Sequence, residues 1–483
     1  MPAAALHSSA FSAVSGLTAS LGGIRMLPEG GVGRALGSAT LQDTTWSALE
    51  FLNAYGPVFV VAFLVTLLST PVIRRIAVML EIIDKPDQTR KLHRFPVAYL
   101  GGFAVFMGVI VAIITSLFIE KPPADIFEHV PIAVVIGILA ITFTGLADDA
   151  YGWDPRLKIA GQLVAAAALA INDIGVHVAE GALVPLFGAP RETLITLGSL
   201  TIPNSELYYW VGTALIAAFV LGGCNATNLI DGLDGLLSGS VAIMMVGFLL
   251  VSLMIATSET INGATDSLAG ARIVICLATL GAVLGFLPWN FNPAVIFLGD
   301  CGSLLLGYLS VVVILTFGEK GNTPLVIAGL IIFALPIMDT CLAIIRRKLA
   351  GRPWSAPDSD HIHHQLKRGL GGVKRAVFAL YAITAIFTAL GVGVAAIKFY
   401  TELRVFFPYT IALVLFAFVA AIAIKIARRQ QWELATHVAV EATHTDPAHR
   451  PVAAAPDVAV ASAAQSNGKP EAKPAGAVAE SSR

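Results

Sequence analysis

The sequence predicts an all-α, polytopic integral membrane protein, and three observations carry that prediction. The 483 residues are 56% hydrophobic and only 13% charged, more apolar than a soluble core of that length requires. Mean hydropathy is +0.78. The apolar residues are gathered into runs close to the roughly 20 residues that cross a hydrocarbon core as a helix, and the stretches between those runs carry Lys and Arg very unevenly.

Eleven runs qualify as spans: residues 55–73, 99–119, 129–147, 159–174, 207–223, 236–256, 273–288, 303–317, 325–345, 377–397 and 406–424. The fourth is short and contains Asn172 and Asp173, but without it the later loops would change sides. Orientation follows from the loop cations. Arg74, Arg75, Lys85, Arg90, Lys91 and Arg94 follow the first run, Arg156 and Lys158 the third, and a cluster from Arg346 to Arg375 the ninth. Alternate loops hold only scattered charges such as Lys121 and Arg191. The N-terminus is therefore expected outside and the C-terminus in the cytoplasm.

Three regions follow. Residues 1–45 read as a flexible leader rich in Ala, Ser and Gly, without the charged start or cleavage site of a removed signal peptide. Residues 46–429 form the transmembrane domain, and 430–483 an Ala/Pro-rich cytoplasmic tail too poor in large apolar groups to fold. A net charge of −1 leaves no basic surface for nucleic acid. Cys224, Cys276, Cys301 and Cys341 lack CxxC spacing and read as small buried residues rather than disulfide partners.

Polar clusters interrupt the apolar background at five places, all assigned to the cytoplasmic side. The first loop contains DKPDQTRKLHRFPVAYLGG with Lys91 and His93; a basic loop facing lipid headgroups is the plainer alternative. The third run ends in Asp148 and Asp149, and acids at a helix C-terminus oppose the macrodipole, so a solvated helix end explains them poorly. The fifth ends in Asn225, Asn228, Asp231 and Asp234, three residues apart and hence neighbours on a helical surface. Facing lipid, the two aspartates would cost about 5–7 kcal/mol on an insertion scale, so water, protein or a cation must receive them. Asp300 lies between Gly299 and Gly302, where an ordinary turn is the alternative. His361, His363 and His364 form HIHH, whose spacing differs from HExxH; a surface run or a structural zinc site competes with a substrate role. Asp339, inside the ninth run, is equally open to function or to pairing with a neighbouring span.

Carboxylates and amide carbonyls are hard oxygen ligands suited to Mg²⁺ or Mn²⁺, often completed by substrate phosphates. Five such clusters on one membrane face point to phosphoryl transfer there. No Walker loop or nucleophile elbow suggests a soluble-type NTPase or hydrolase. The rival from another class is a secondary transporter, whose carboxylates would lie near the midplane rather than at span ends on one side.

From Asp84 to Leu366 the five motifs, in order, resemble those of the polyprenyl-phosphate N-acetylhexosamine-1-phosphate transferases. DKPDQTRKLHRFPVAYLGG is similar to the family's DKPxxRKxHxxPxPxxGG loop, LADDAYGWDPRLKIAGQ to its DD motif, NATNLIDGLDGL to its Asn/Asp motif, FLGDCGSLLLG to GDxGS, and HIHHQL to its histidine motif. The HIHH form and the DDAYGWDP context resemble the branch that starts surface-glycan lipids more than the branch using UDP-muramoyl-pentapeptide. Ala98 replaces a usual proline, Cys301 a usual Thr or Ala, and Asp360 departs from the family's common form.

The resemblance implies transfer of N-acetylglucosamine 1-phosphate from UDP-GlcNAc to undecaprenyl phosphate, with release of UMP, by a multi-pass protein of the bacterial inner membrane whose site faces the cytoplasm. A related UDP-N-acetylhexosamine or UDP-muramoyl-pentapeptide is the alternative donor, and a homodimer is compatible. The cofactor implied is Mg²⁺ or Mn²⁺, on Asp300 with Asn225 or Asn228. Asp148 is implied as base or organiser of the lipid phosphate, with Asp149 supporting it. Asp231 is a further catalytic candidate and, with Asp234, faces the nucleotide. Lys91, His93, Asn228, His361, His363 and His364 are implied to bind phosphate and sugar.

Overall fold

The computed structural model describes residues 47–84, 97–119, 129–188, 193–197, 200–262, 268–349, 351 and 361–401, with isolated positions from 406 to 436. Lys91, His93, Asp360 and the leader lie outside the described residues, as does most of the tail. In chain order the helices are α1 (Ala48–Met79), α2 (Gly101–Ser116), α3 (Ile132–Tyr151), α4 (Pro155–Ile171), α5 (His177–Phe187), α6 (Asn204–Ile230), α7 (Leu236–Asn262), α8 (Ala269–Asn290), α9 (Gly299–Thr316), α10 (Thr323–Ile332), α11 (Ala334–Leu349), α12 (Ile362–Leu370) and α13 (Val373–Tyr400). Two antiparallel ribbons accompany them, β1 (Ile83–Asp84) with β2 (Val97–Ala98), and β3 (Thr193–Leu197) with β4 (Leu200–Pro203).

The span count differs from the eleven expected. Among the described residues seven helices, α1, α3, α6, α7, α8, α9 and α13, are long and apolar enough to cross a membrane. The second and fourth expected spans are helices of 16 and 17 residues. The ninth breaks after Phe333 into α10 and α11, bent by 75°, and counts as an eighth span only if the pair is taken together. The eleventh lies mostly outside the described residues. Hydropathy registers the apolar content of the ninth run but not its direction, which explains the difference at that run. The sequence reading also assigned no structure between the fourth and fifth runs, where α5 and the β3–β4 hairpin stand.

Chain separation into two compact units leaves nearly all of this in one, Met1–Cys341 with Asp358–Phe416. The other, Leu342–Pro357 with Ala417–Arg483, includes the last turns of α11 and its Arg346, Arg347 and Lys348. Within the first unit α9 is central: 94% of its apolar window is buried, against 22% for α1. The helices α3 and α6 pack on α9, and α4 packs on both α3 and α6. Buried glycines permit the close approaches. A side chain at Gly102 would collide with the Gly302 backbone, and one at Gly145 with Cys301.

Local signals start several helices. Ser47 and Glu50 form a capping box on α1, with Ser47 N donating to Glu50 Oε2 at 2.6 Å. Asp154 accepts from Arg156 N at 2.8 Å ahead of Pro155, which suits the first position of α4. The helices α9 and α12 lack a cap from their own N-cap side chains. Their caps come from other helices, and that brings the site together.

Candidate active site

Asp149, at the end of α3, accepts from Asp300 N at 2.8 Å and from Cys301 N at 3.0 Å, so its carboxylate closes the N-terminus of α9. The first N–H groups of a helix have no intrahelical partner and carry partial positive charge, which an acid satisfies twice over. Gly299, at φ +72°, makes the left-handed turn into α9 and lies against the same carboxylate, where a side chain would not fit. Asp149 therefore sets the position of Asp300.

Around Asp300 the predicted residues converge. Asn228 Nδ2 donates to Asp300 Oδ1 at 2.7 Å and to Ser303 Oγ at 3.0 Å. Lys158 Nζ forms an ion pair with Asp300 Oδ2 and another with Asp148 Oδ2 at 2.9 Å. From sequence Lys158 is one of the loop cations that set orientation and a member of the segment similar to the DD motif, with no role of its own assigned. Its signal was present: with Asp154 capping α4, Lys158 lies one turn inside the helix that follows the DD pair.

The first asparagine and the second aspartate of the ladder are engaged differently. Asn225 Nδ2 donates to Gln162 Oε1 at 2.9 Å and to Leu221 O at 2.8 Å. Asp234 Oδ2 accepts from Asn292 Nδ2 at 2.8 Å and Ala294 N at 3.1 Å, tying the start of α7 to the loop before α9. Asn290, which no motif singled out, is buried and reinforces that tie: its Oδ1 accepts from Gly235 N and Ser238 Oγ, and its Nδ2 donates to Ile296 O. Between them, Asp231 ends α6. Burial, together with the carboxylates of Asp300, Asp149 and Asp234, pushes the Asp231 carboxyl up to about 8. Tyr99, also unanticipated, hydrogen-bonds Asp84; burial and the charges of Asp84, Asp149 and Asp300 push its phenol well up, so it stays protonated.

The histidines join this group from the other side. Asp339, fully buried, accepts from Ile362 N at 2.9 Å and pairs with His361 Nδ1 at 2.8 Å, capping α12 from α11. The intramembrane acid thus pairs with a loop residue rather than with a neighbouring span. His361 and His363 stack with centroids 5.5 Å apart and planes within 6°. His363 Nε2 lies so close to Gly232 that any side chain there would collide with it, which joins the histidine helix to the Asp231–Asp234 segment. Burial, then the neighbouring His364, pushes His363 down to about 3, and burial also lowers His364. His363 is a neutral imidazole near pH 7, able to donate or accept a hydrogen bond but not to supply charge.

Among the described residues no three His, Cys, Asp or Glu side chains have the geometry of a complete metal site. The arrangement instead offers Asp300 and Asn228 as oxygen donors at the rim of an acidic cluster. Lys158 is the single ammonium in ion-pair contact with that cluster among the described residues. Such a site favours an added cation and phosphate ligands.

Comparison with known proteins agrees with this geometry. Residues 131–318, from α3 through α9, match the family described as glycosyl transferase family 4. A Bacillus subtilis protein named probable undecaprenyl-phosphate N-acetylglucosaminyl 1-phosphate transferase is 31% identical over 353 residues, 72% of this chain and 87% of that protein. A Mycobacterium leprae decaprenyl-phosphate N-acetylglucosaminephosphotransferase is 30% identical over 66% of this chain and 78% of its own length. A Bacillus cytotoxicus phospho-N-acetylmuramoyl-pentapeptide-transferase is 30% identical over 64% and 88%. With this identity extending over most of the Bacillus subtilis relative, and with the family's matched segment containing Asp148, Asn228 and Asp300, the chain belongs to glycosyl transferase family 4.

Proposed function

We propose that this protein transfers N-acetylglucosamine 1-phosphate from UDP-GlcNAc to undecaprenyl phosphate, releasing UMP and starting the synthesis of a lipid-linked surface glycan. The observation that carries the proposal is the Asp148–Lys158–Asp300–Asn228 constellation, built where α3, α4, α6 and α9 meet. The names of the relatives supply the substrate classes, a polyprenyl phosphate and an N-acetylglucosamine phosphate donor. A muramoyl-pentapeptide donor is the second reading, favoured only by relatives of that name.

In the reaction an oxygen of the lipid phosphate attacks the sugar-bearing phosphorus of UDP-GlcNAc; the phosphoanhydride bond breaks and UMP leaves. The acceptor is already an oxyanion near neutral pH, since a phosphate monoester has its second pKa near about 6. The barrier is therefore repulsion between anions and their alignment more than generation of a nucleophile. Lys158 stands between the carboxylates of Asp148 and Asp300, where its ammonium can be shared with an incoming phosphate. Asp148, paired with Lys158 and hydrogen-bonded to Asp300, organises the lipid phosphate or takes its residual proton. Asp231 and Asp234 face the nucleotide. His361, His363 and His364, with Lys91 and His93 from the first loop, hold sugar and phosphate, and His363 does so as a neutral hydrogen-bonding group.

The donor set suits Mg²⁺ or Mn²⁺: Asp300 and Asn228 would hold the ion, with substrate phosphates completing its shell, and Asn225 could contribute only its carbonyl oxygen. When bound, the ion would neutralise charge developing on the transferred group. The cation asymmetry of the loops supports a cytoplasmic site in an inner membrane, with the N-terminus outside, and a homodimer remains compatible.

The test is direct. Purified protein in detergent is given undecaprenyl phosphate with UDP-GlcNAc, UDP-GalNAc or UDP-muramoyl-pentapeptide, and UMP and lipid-linked product are measured. Fast turnover with UDP-GlcNAc supports the proposal; product from the pentapeptide donor alone would move the protein to the other branch, and ion-coupled uptake without UMP would make it a transporter. Cysteines at positions 91 and 363 that react with an impermeant reagent from outside intact cells would overturn the sidedness.

A further inference from the structure

Lys158 and Gln162 lie one turn apart on α4, and Asn225 and Asn228 one turn apart on α6, so each pair occupies one face of its helix. The first members of the site meet through a third group: Lys158 and Asn228 both reach Asp300. One turn deeper the two helices meet directly, Asn225 Nδ2 donating to Gln162 Oε1 at 2.9 Å. The orientation of both amides is fixed. Asn225 Nδ2 also donates to the Leu221 carbonyl, which can only accept, so both its hydrogens are used and Gln162 must present oxygen to it. That leaves Gln162 Nε2 buried without a protein partner, on a side chain 0% exposed. An apolar residue would avoid the unsatisfied donor, so packing alone does not account for glutamine at this position.

We infer that the Gln162–Asn225 pair is a positioning device that sets the α4–α6 spacing and thereby places Lys158 and Asn228 on opposite sides of Asp300. The inference rests on the transferase reading above and gives Asn225 a task that the motif alone did not suggest. Because both helices are continuous between the tiers, a change in the lower contact is transmitted to the upper one. Misplacing reacting groups by about 1 Å can cost about 10²-fold in rate.

The experiment uses full-length protein in detergent with UDP-GlcNAc and undecaprenyl phosphate, comparing Gln162→Leu, Gln162→Asn, Asn225→Gln and the double variant Gln162→Asn/Asn225→Gln, which restores the summed length of the two side chains. Gln162→Leu is expected to lower kcat by about 10²-fold while its melting temperature stays near wild type and KM for UDP-GlcNAc stays within about three-fold. Both single length variants should lose kcat, and the double variant should recover most of it. A Gln162→Leu protein with wild-type kcat overturns the inference, as does a loss that merely tracks the fraction folded. Should Gln162→Leu fail to fold, the double variant decides, since a folded double variant without recovered kcat is equally fatal. A wild type that releases no UMP from any donor refutes the transferase reading, and the role of the pair with it; a wild type that turns over beside an equally active Gln162→Leu refutes the pair alone.

Discussion

The adjacent acids Asp148 and Asp149 invite a single role, yet their contacts assign them different ones, and replacing each separately should expose the difference. Asp149→Ala removes two acceptors from the N-terminus of α9 and leaves the N–H groups of Asp300 and Cys301 without them. A buried donor left unsatisfied costs about 1–3 kcal/mol, and loss of an N-cap typically about 1 kcal/mol. Removing one carboxylate from an acidic cluster offsets part of this, so the net expectation is a destabilisation of about 2–4 kcal/mol. Asp149→Asn keeps one acceptor and should lie between alanine and wild type. Asp148→Asn loses its ion pair with Lys158, which retains Asp300, and its amide can still donate to the Asp300 carboxylate it neighbours, so its cost should stay within about 1 kcal/mol. Thermal unfolding in detergent, run beside UMP release, separates the two. Asp149→Ala should melt several degrees below wild type and turn over slowly; Asp148→Asn should melt like wild type with kcat depressed and KM for UDP-GlcNAc little changed. An Asp149→Ala protein as stable as wild type but inactive would refute the capping argument and return Asp149 to the chemistry.

Other expectations follow from the same geometry. Activity should require Mg²⁺ or Mn²⁺ and vanish with chelator, and Asp300→Asn should lose at least about two orders of magnitude in turnover; near-normal activity in a well-folded variant would remove Asp300 from the centre. Gly232→Ala should reduce turnover because its methyl collides with His363 Nε2, and pairing it with His363→Ala should add little further loss. Asp234→Asn should weaken nucleotide binding, measured by UMP competition, since one carboxylate oxygen holds both Asn292 and Ala294. His363 titrates at about 3 when folded and near 6.5 when unfolded. The unfolded chain takes up the proton first as pH falls, so stability should be lost progressively below about 6.5 and toward about 3. His363→Gln should flatten the dependence of melting temperature on pH in that window, and an unchanged slope would show that the imidazole is already charged.

Much of the site was legible because its parts stand in order along the chain and at span ends. Asp148, Asn228 and Asp300 could be grouped before any coordinates, through the sides the loop cations imply. Lys158 was visible but read as one more loop charge, because nothing local reveals that its ammonium reaches an acid 142 residues away. Asp149 carried a catalytic expectation because adjacency to Asp148 is a local signal, whereas its cap on α9 is 151 residues distant. The partner of Asp339 remained open for the same reason, and Gln162, although it closes the segment similar to the DD motif, carried no sign of its contact with Asn225. In the fold, apolar runs located helices well but could not distinguish a straight span from the 75° break between α10 and α11. Hydropathy measures content, and a bend after Phe333 changes direction without changing content.

The two borrowed caps also impose an order on biogenesis. Chains grow from the N-terminus, so α3, α4 and α6 leave the ribosome before α9, and α11 before α12. A nascent chain stopped at residue 298 already contains Asp148, Asp149, Lys158 and Asn228, but none of the N–H groups that Asp149 receives and no Asp300 for Lys158 to share. Its acids stand at the membrane with their final partners still unsynthesised, a costly condition that water or the insertion machinery must tolerate. Arrival of α9 completes the acidic half, and arrival of α12 onto Asp339 adds the imidazoles. The centre is therefore complete only after two late arrivals, first of α9 and then of α12.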